Sequence, residues 1–233
     1  MLNRDFTGIW KAADLSPAVQ SHVVHVYQAL AATVLMASCG AMLHMQTHLG
    51  GICTAIASML TLGWLGRDQD NENETKRMSI LLLFGLFKGM TVGGIVEAAM
   101  IIDPALVLIA LVATTTVFVC FSLAALVAKR RSYLYLGGIL GSAIAIMTLA
   151  SLANLYFRSP WLMNVNLYGG LVVFSGYVVL DTQLIIEKAD LGSRDFAWHA
   201  AELFVNFMAL FVRVLIILMK NAEKKNKRGR NGR

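Results

Sequence analysis

The chain has 233 residues, of which 57% are hydrophobic and 15% charged, and its formal net charge is +6 at pH 7. This composition and the long apolar stretches of the chain predict a polytopic membrane protein. Its loops are short and leave no room for a folded soluble domain. The three cysteines all fall within predicted spans, which excludes a disulfide framework or a metal-spaced cysteine cluster.

The elements are predicted in chain order from apolar stretches of about 17 to 25 residues, the length that crosses a bilayer as a helix. Residues 1–26 are polar, and we expect a cytosolic N-terminal segment without a cleaved signal. The seven predicted spans are 27–48, 50–66, 78–101, 104–128, 133–157, 162–186 and 196–219. The sequence therefore predicts an all-α bundle of seven transmembrane helices over 27–219, followed by a basic, disordered tail, 220–233.

Loop charges predict the orientation. A cytosolic amino terminus places ten basic residues in cytosolic segments and only Arg158 in the opposite loops, as the positive-inside rule favours. The ten are Arg4, Lys11, Arg67, Lys76, Arg77, Lys129, Arg130, Arg131, Lys188 and Arg194. Seven full crossings would nevertheless place the seven basic residues of the tail on the other side. Either the last segment does not cross completely or the earlier loops outweigh the tail.

Small residues in two spans predict close helix packing. Gly85, Gly89 and Gly93 are spaced four apart in the third span and form a smooth face that another helix backbone can approach. Gly137 and Gly141 repeat this spacing in the fifth span, where we also expect packing.

Four ionisable residues of the first and third spans need an explanation. His44 and His48 have a metal-ligand spacing, but no carboxylate or third ligand is near them in the sequence, so interfacial histidines are favoured. Lys88 and Glu97 are nine residues apart and lie on roughly opposite helix faces, so each needs another partner. Lys88 could extend toward a headgroup, and Glu97 could be a solvated interfacial carboxylate.

Asp181 is the residue around which we expect the function. It follows the unbroken apolar run 167–180, and an aspartate near the centre of a span costs about 2.5 to 3.5 kcal/mol. Acids inside membrane segments usually face the interior of a bundle or a water-filled path.

The last span carries a polar stripe along one helix face, which comprises His199, Glu202, Asn206 and Arg213. A lipid-facing helix would not tolerate this stripe, whereas a central helix could turn it toward a polar interior. The alternative is an amphipathic helix at the membrane surface, although the other face is apolar enough for burial.

Several stretches resemble the transmembrane Bax inhibitor motif family, and specifically its Bax inhibitor branch. They are 129–138 (KRRSYLYLGG), 166–168 (NLY), 180–188 (LDTQLIIEK), Glu97, 198–199 (WH) and 202–204 (ELF). The likeness extends from about residue 15 to the basic tail. It implies a seven-helix bundle with the last helix at its centre, acting as a pH-sensitive calcium leak of the endoplasmic reticulum membrane that suppresses apoptosis.

The resemblance also implies a gate in which two aspartates of the last two helices share a hydrogen bond. The first corresponds to Asp181, but Asn206 stands at the second, so this chain departs from the family. Two carboxylates in contact cannot easily both ionise, and an amide removes that coupling. Glu202, one turn earlier, could restore a carboxylate pair. Arg67, by resemblance to bacterial members, and Arg213 are alternative basic partners.

Other functional classes fit less well. An intramembrane aspartyl protease would need a second intramembrane aspartate and a Gly-x-Gly-Asp motif, so we expect no enzyme. A seven-helix receptor is disfavoured by the short loops. The remaining alternative is a non-conducting adaptor that binds cell-death regulators of the Bcl-2 type, or calcium-handling proteins, through its glycine-lined faces.

The basic tail predicts attraction to anionic lipid or an acidic partner. It contains no aromatic residue, so nucleic-acid binding has little support.

Overall fold

The computed structural model describes residues 16–68, 73–127 and 135–231. Within these ranges the chain forms seven α-helices, and six of them are long and apolar enough to cross a membrane, while α2 is a shorter apolar helix. They are α1 (Pro17–Thr47), α2 (Ile52–Arg67), α3 (Glu74–Ile102), α4 (Ala105–Val127), α5 (Leu136–Phe157), α6 (Pro160–Asp190) and α7 (Phe196–Asn231). The predicted all-helical membrane architecture is confirmed.

Two helix boundaries differ most from those of the predicted spans. Helix α1 begins at Pro17, before the predicted boundary at 27, because the Ser16 side chain caps it and proline suits the first turn. Helix α7 continues to Asn231, so the described part of the predicted tail is helical rather than disordered. Lysine and alanine favour helix there. Residues 1–15 of the predicted N-terminal segment and the basic loop 129–131 lie outside the described residues.

Helices α1 and α3 run parallel to each other. Thr33, Ala37 and His44 of α1 lie against Gly85, Gly89 and Gly93 of α3, respectively, so the two registers advance together. Helix α2 therefore carries the chain back between them. The hydroxyl groups of Thr54 and Thr91 are 3.1 Å apart near the start of α2, and an ion pair of 2.7 Å joins Asp68 to Lys76 at its other end.

The α1–α3 contact requires glycine. A Cβ atom built at Gly89 would overlap the carbonyl group of Ala37, and one at Gly85 would lie 2.8 Å from the carbonyl oxygen of Thr33. In α5, by contrast, a Cβ atom at Gly141 would meet open space. The prediction that Gly137 and Gly141 form a packing face is therefore wrong for Gly141. Among the described helices α5 packs on α6 alone, and Gly141 is not part of that contact.

Helix α7 has neighbours on most of its circumference. It contacts α1, α2, α3, α4 and α6, and α6 is its most extensive neighbour. Its apolar face includes Leu203, Phe204 and Leu210, which are fully buried. The Phe204 ring meets Phe84 of α3 edge-on at 5.5 Å between centroids. These contacts exclude a helix that lies free on the membrane surface.

An ion pair fixes the start of α7. Arg77 of α3, which is 2% exposed, donates from Nη2 to Asp195 Oδ2 over 2.5 Å. The other carboxylate oxygen of Asp195 accepts a hydrogen bond from the backbone N–H of Trp198 at 3.0 Å and so caps α7. One side chain thus both begins the helix and joins it to α3. Beside it, His199 Nδ1 lies 3.1 Å from His22 Nε2 of α1.

We predict that Gly89→Ala destabilises the protein by about 1 to 3 kcal/mol, because the added methyl group forces α1 and α3 apart. Thermal unfolding in detergent measures this effect. Gly141→Ala is the matched control, since its methyl group meets no neighbour and alanine is the better helix former. Equal melting temperatures for the two variants would refute a close α1–α3 contact.

We predict that Asp195→Asn lowers stability by about 3 kcal/mol, because asparagine can still cap α7 but leaves the buried Arg77 guanidinium without its counter-charge. Asp103→Asn is the control, since Asp103 caps the start of α4 through the Ala105 N–H at 2.9 Å and is exposed. Chemical unfolding of both variants provides the comparison. A loss no larger for Asp195→Asn than for the control contradicts the role of the ion pair.

Candidate functional site

Asp181 lies within the bundle and contacts the last helix. Asn206 of α7 donates a hydrogen bond from its side-chain amide to Asp181 Oδ2. Helices α6 and α7 are antiparallel, so residues 181 and 206 meet at one level and Lys220 meets Asn164 at another, over 2.9 Å. Asp181 follows an apolar run of α6, and its carboxylate faces the interior of the bundle. The polar stripe on α7 supplies its partner, Asn206.

The Asp181–Asn206 contact forms part of the wall of a cavity of about 240 Å³ among α2, α6 and α7. We call this space the Asp181 cavity. Its lining residues are Leu62, Tyr177, Asp181, Trp198, Ala201, Glu202, Val205 and Asn206. It therefore holds two carboxyl groups, an amide and a phenol in an otherwise apolar bundle.

Three consecutive polar residues of α6 reach three different helices. Asp181 accepts from α7, Thr182 shares a hydrogen bond of 3.3 Å with Tyr27 of α1, and Gln183 donates to the backbone carbonyl of Ala125 in α4. Successive helix residues are about 100° apart, so three consecutive polar residues point in directions that span about 200° around the helix. Thr182 and Gln183 are buried, and their bonds hold α6 in place around Asp181.

Glu202 is held by two neighbours. Trp198, one turn earlier on α7, donates from Nε1 to Glu202 Oε1 over 2.7 Å, and Lys188 Nζ of α6 lies 3.7 Å from the same oxygen. Loop charges alone predict Lys188 only as a cytosolic basic residue. Its signal was present, because Lys188 is two turns beyond Asp181 and on the same face of the helix.

Neither arginine proposed as a basic partner contacts Asp181. Arg67 is exposed at the end of α2 and makes no described ion pair with Asp181. Arg213 lies two turns beyond Asn206, where its guanidinium donates to the Ala209 carbonyl at 2.9 Å. A partner role for Arg67 or Arg213 therefore stays a prediction, while Lys188 is the cation that lies beside Glu202 of the same cavity.

Glu97 meets the two histidines of α1. Its carboxylate oxygen lies 3.7 Å from His44 Nε2 and 3.9 Å from His48 Nδ1, so the expectation of no carboxylate near these histidines is wrong. Parallel packing of α1 and α3 brings their ends together. Among the described residues no group of three His, Cys, Asp or Glu side chains has a geometry that could hold a metal ion. Lys88 is half-buried, with no hydrogen bond or ion pair to another described residue.

The polar stripe of α7 is shared among several neighbours. His199 meets α1, Glu202 and Asn206 face the Asp181 cavity, and Arg213 lies over the Phe174 ring of α6. The chemistry available at the cavity is that of a carboxylate whose partner is an amide, with a second carboxylate nearby. Such oxygen-rich groups can bind a hard cation or exchange hydrogen-bond partners.

Comparisons with known proteins agree with the likeness in sequence. The model of the family described as inhibitor of apoptosis-promoting Bax1 matches residues 19–223. The chain is 40% identical to Bax inhibitor 1 of Bos taurus over 227 residues, which are 96% of each protein. It is 41% identical to Bax inhibitor 1 of Mus musculus, over 96% of this chain and 95% of that protein.

The similarity extends to plants. Bax inhibitor 1 of Arabidopsis thaliana is 42% identical over 212 residues, covering 91% of this chain and 85% of that protein. The family model and these relatives together cover α1 to α7, including the Asp181 cavity. The chain is a member of the Bax inhibitor family, the multi-pass membrane proteins that regulate apoptosis.

Proposed function

We propose that the protein is a calcium leak channel of the endoplasmic reticulum membrane that restrains apoptosis, with the Asp181–Asn206 contact as its gate. The observation that carries this proposal is the hydrogen bond between these two side chains in a cavity inside an apolar bundle. Intramembrane carboxylates are expensive and are retained mainly on ion and proton pathways.

The oxygen atoms around the cavity suit calcium as the permeant ion. Calcium is a hard cation that takes carboxylate and amide oxygens. Asp181, Glu202 and the Asn206 amide offer both kinds on the α6–α7 side of one cavity. Calcium would pass through the protein rather than remain as a cofactor.

In this proposal α7 is the central, half-polar helix that lines the path. Its contacts with five of the other described helices support that position. Asp181 and Asn206 hold α6 against α7, and the path opens when this bond breaks. Lys188, which lies 3.7 Å from Glu202, can then compensate a carboxylate released from its partner. Arg67 and Arg213 have no part in this closed arrangement.

The replacement of an aspartate by Asn206 weakens or displaces the response to pH relative to the family. With two carboxylates in contact, one proton decides whether they attract or repel each other. With an amide, the contact between Asn206 and Asp181 forms while Asp181 is ionised, so no proton is needed to hold the gate closed.

One of the glycine-lined faces on which the adaptor alternative is based is already occupied within the chain. Gly85, Gly89 and Gly93 are covered by α1 and cannot receive a partner helix. An adaptor that binds Bcl-2-type or calcium-handling proteins would need another face, and α5 is the most exposed helix. Proteoliposomes without any calcium flux would favour the adaptor.

We predict that Asp181→Ala lowers calcium flux about tenfold or more in proteoliposomes loaded with a calcium-sensitive dye, because the loss of a charged ligand for the permeant ion, about 1.5 to 3 kcal/mol, outweighs the loss of the contact that closes the path. Glu97→Ala is the matched control, since it removes a half-buried carboxylate that lies outside the Asp181 cavity. Equal flux through both variants, at equal reconstituted amounts, would exclude a gate at Asp181.

We predict that Asn206→Asp makes calcium flux depend more steeply on pH, because it restores two carboxylates that share protons. Flux is measured over a pH series in the natural protein and in the variant. The double variant Asp181→Asn and Asn206→Asp is the control, because it keeps one carboxylate and one amide in contact. Its profile should match the natural one, and identical profiles for all three proteins contradict the proposal.

A further inference from the structure

A basic cleft lies between α5, α6 and α7, two helical turns beyond Asn206. It consists of two cavities of about 110 and 320 Å³, whose linings share Ser151, Asn166 and Arg213. We call this space the Arg213 cleft. Gly170 makes room for the Arg213 side chain, since a Cβ atom at residue 170 would overlap the guanidinium.

The cation in the Arg213 cleft has unused hydrogen-bond donors. Its Nη1 donates to the Ala209 carbonyl at 2.9 Å, and its Cζ lies 4.4 Å from the centre of the Phe174 ring. Its Nε is buried without a hydrogen-bond partner, and no described carboxylate forms an ion pair with it. In the same cleft Asn154 Oδ1 is also buried without a partner. An oxygen-rich anion would satisfy the guanidinium, which has five N–H donors.

The depth of Arg213 corresponds to the edge of a bilayer. Arg213 lies about 17 residues, or 26 Å, beyond Phe196 at the charged start of α7, and the hydrocarbon core is about 30 Å thick. Tyr156 and Trp161 are 86% and 68% exposed at the nearby α5–α6 turn, as expected for an interfacial aromatic belt. The guanidinium is therefore within reach of the lipid phosphates.

The cleft is accessible to lipid, and a second positive charge lies near it. Helix α5 packs only on α6 among the described helices, so its other face is open, and Leu152 and Leu155 are 58% and 76% exposed there. Lys220 lies two turns beyond Arg213 on the same face of α7, with Nζ 2.9 Å from Asn164 Oδ1. A headgroup would meet both cations, and its acyl chains would lie along α5.

We propose that the Arg213 cleft binds the phosphate of an anionic lipid headgroup. The guanidinium can take two phosphate oxygens in a bidentate contact, and the Asn166 amide and the Ser151 hydroxyl stand in the same cavity. Basic pockets between transmembrane helices are a general means of lipid recognition. The site is separate from the Asp181 cavity, and its occupancy does not depend on calcium conduction.

Native mass spectrometry of the detergent-purified protein, with phosphatidic acid or phosphatidylcholine added, tests this proposal. One phosphatidic acid molecule should remain bound in preference to phosphatidylcholine. Arg213→Gln should weaken that binding about tenfold or more. The double variant Lys224→Gln and Lys225→Gln is the matched control, because it removes two exposed charges of α7 outside the cleft. An equal loss in the control would assign the affinity to the general charge of the tail and overturn the site.

Two further arms distinguish the site from misfolding and from soluble phosphate. Asn154→Asp places a negative charge opposite Arg213, so it should abolish the lipid adduct while the melting temperature is maintained or raised. An adduct of unchanged strength in this variant refutes the proposal. Glycerol 3-phosphate at millimolar concentration should not displace the bound lipid, because it lacks the acyl chains. Full displacement would make free phosphate, rather than lipid, the ligand.

Discussion

The structure depends on one requirement, that a carboxylate inside an apolar bundle must have a partner. Leaving Asp181 unpaired would cost several kcal/mol, and the amide of Asn206 removes much of that cost. The same bond selects which faces of α6 and α7 meet. Thr182 and Gln183 then bring α1 and α4 against the other sides of α6, so the bundle is organised around a single polar turn.

A second set of contacts holds α1 and α3 against α7. Arg77 and Asp195 join α3 to the start of α7, while the glycine face of α3 brings α1 into backbone contact. Helices α1, α3 and α7 consequently run in the same direction, and the chain must return between them through α2, α4 and α6. This parallel arrangement requires α2 to return the chain from α1 to α3, and it does so with 16 residues. It also places the end of α7 opposite the start of α1, and Lys224, Lys225 and Lys227 are exposed near that end.

The sequence could predict the helices, the inward-facing Asp181 and the polar stripe, because apolar length and helical periodicity are local signals. It could not predict the partners, which depend on the side of α6 that each neighbour occupies. Asn206 was identified from a family motif, whereas Lys188 and Trp198 were missed as partners of Glu202. The contact between Glu97 and His44 could have been predicted from the order of the spans. Two helices separated by one crossing run parallel, so residues near their ends can meet. Arg67 shows the reverse, because a resemblance by itself cannot show that the side chain is exposed at the end of α2.

The presence of Asn206 in place of an acid changes what the proposed gate could respond to. An amide donates to an ionised carboxylate at any pH at which Asp181 is charged, so in that pH range opening would come from a competitor for the carboxylate rather than from a shared proton. A cation in the Asp181 cavity is such a competitor, since Asp181 and Glu202 together offer two carboxylates. Lys188 already compensates Glu202, and its displacement would have to accompany entry of the ion. In the proposed leak, therefore, the permeant ion itself helps to open the contact, and the charge on α6 sets how readily it does so.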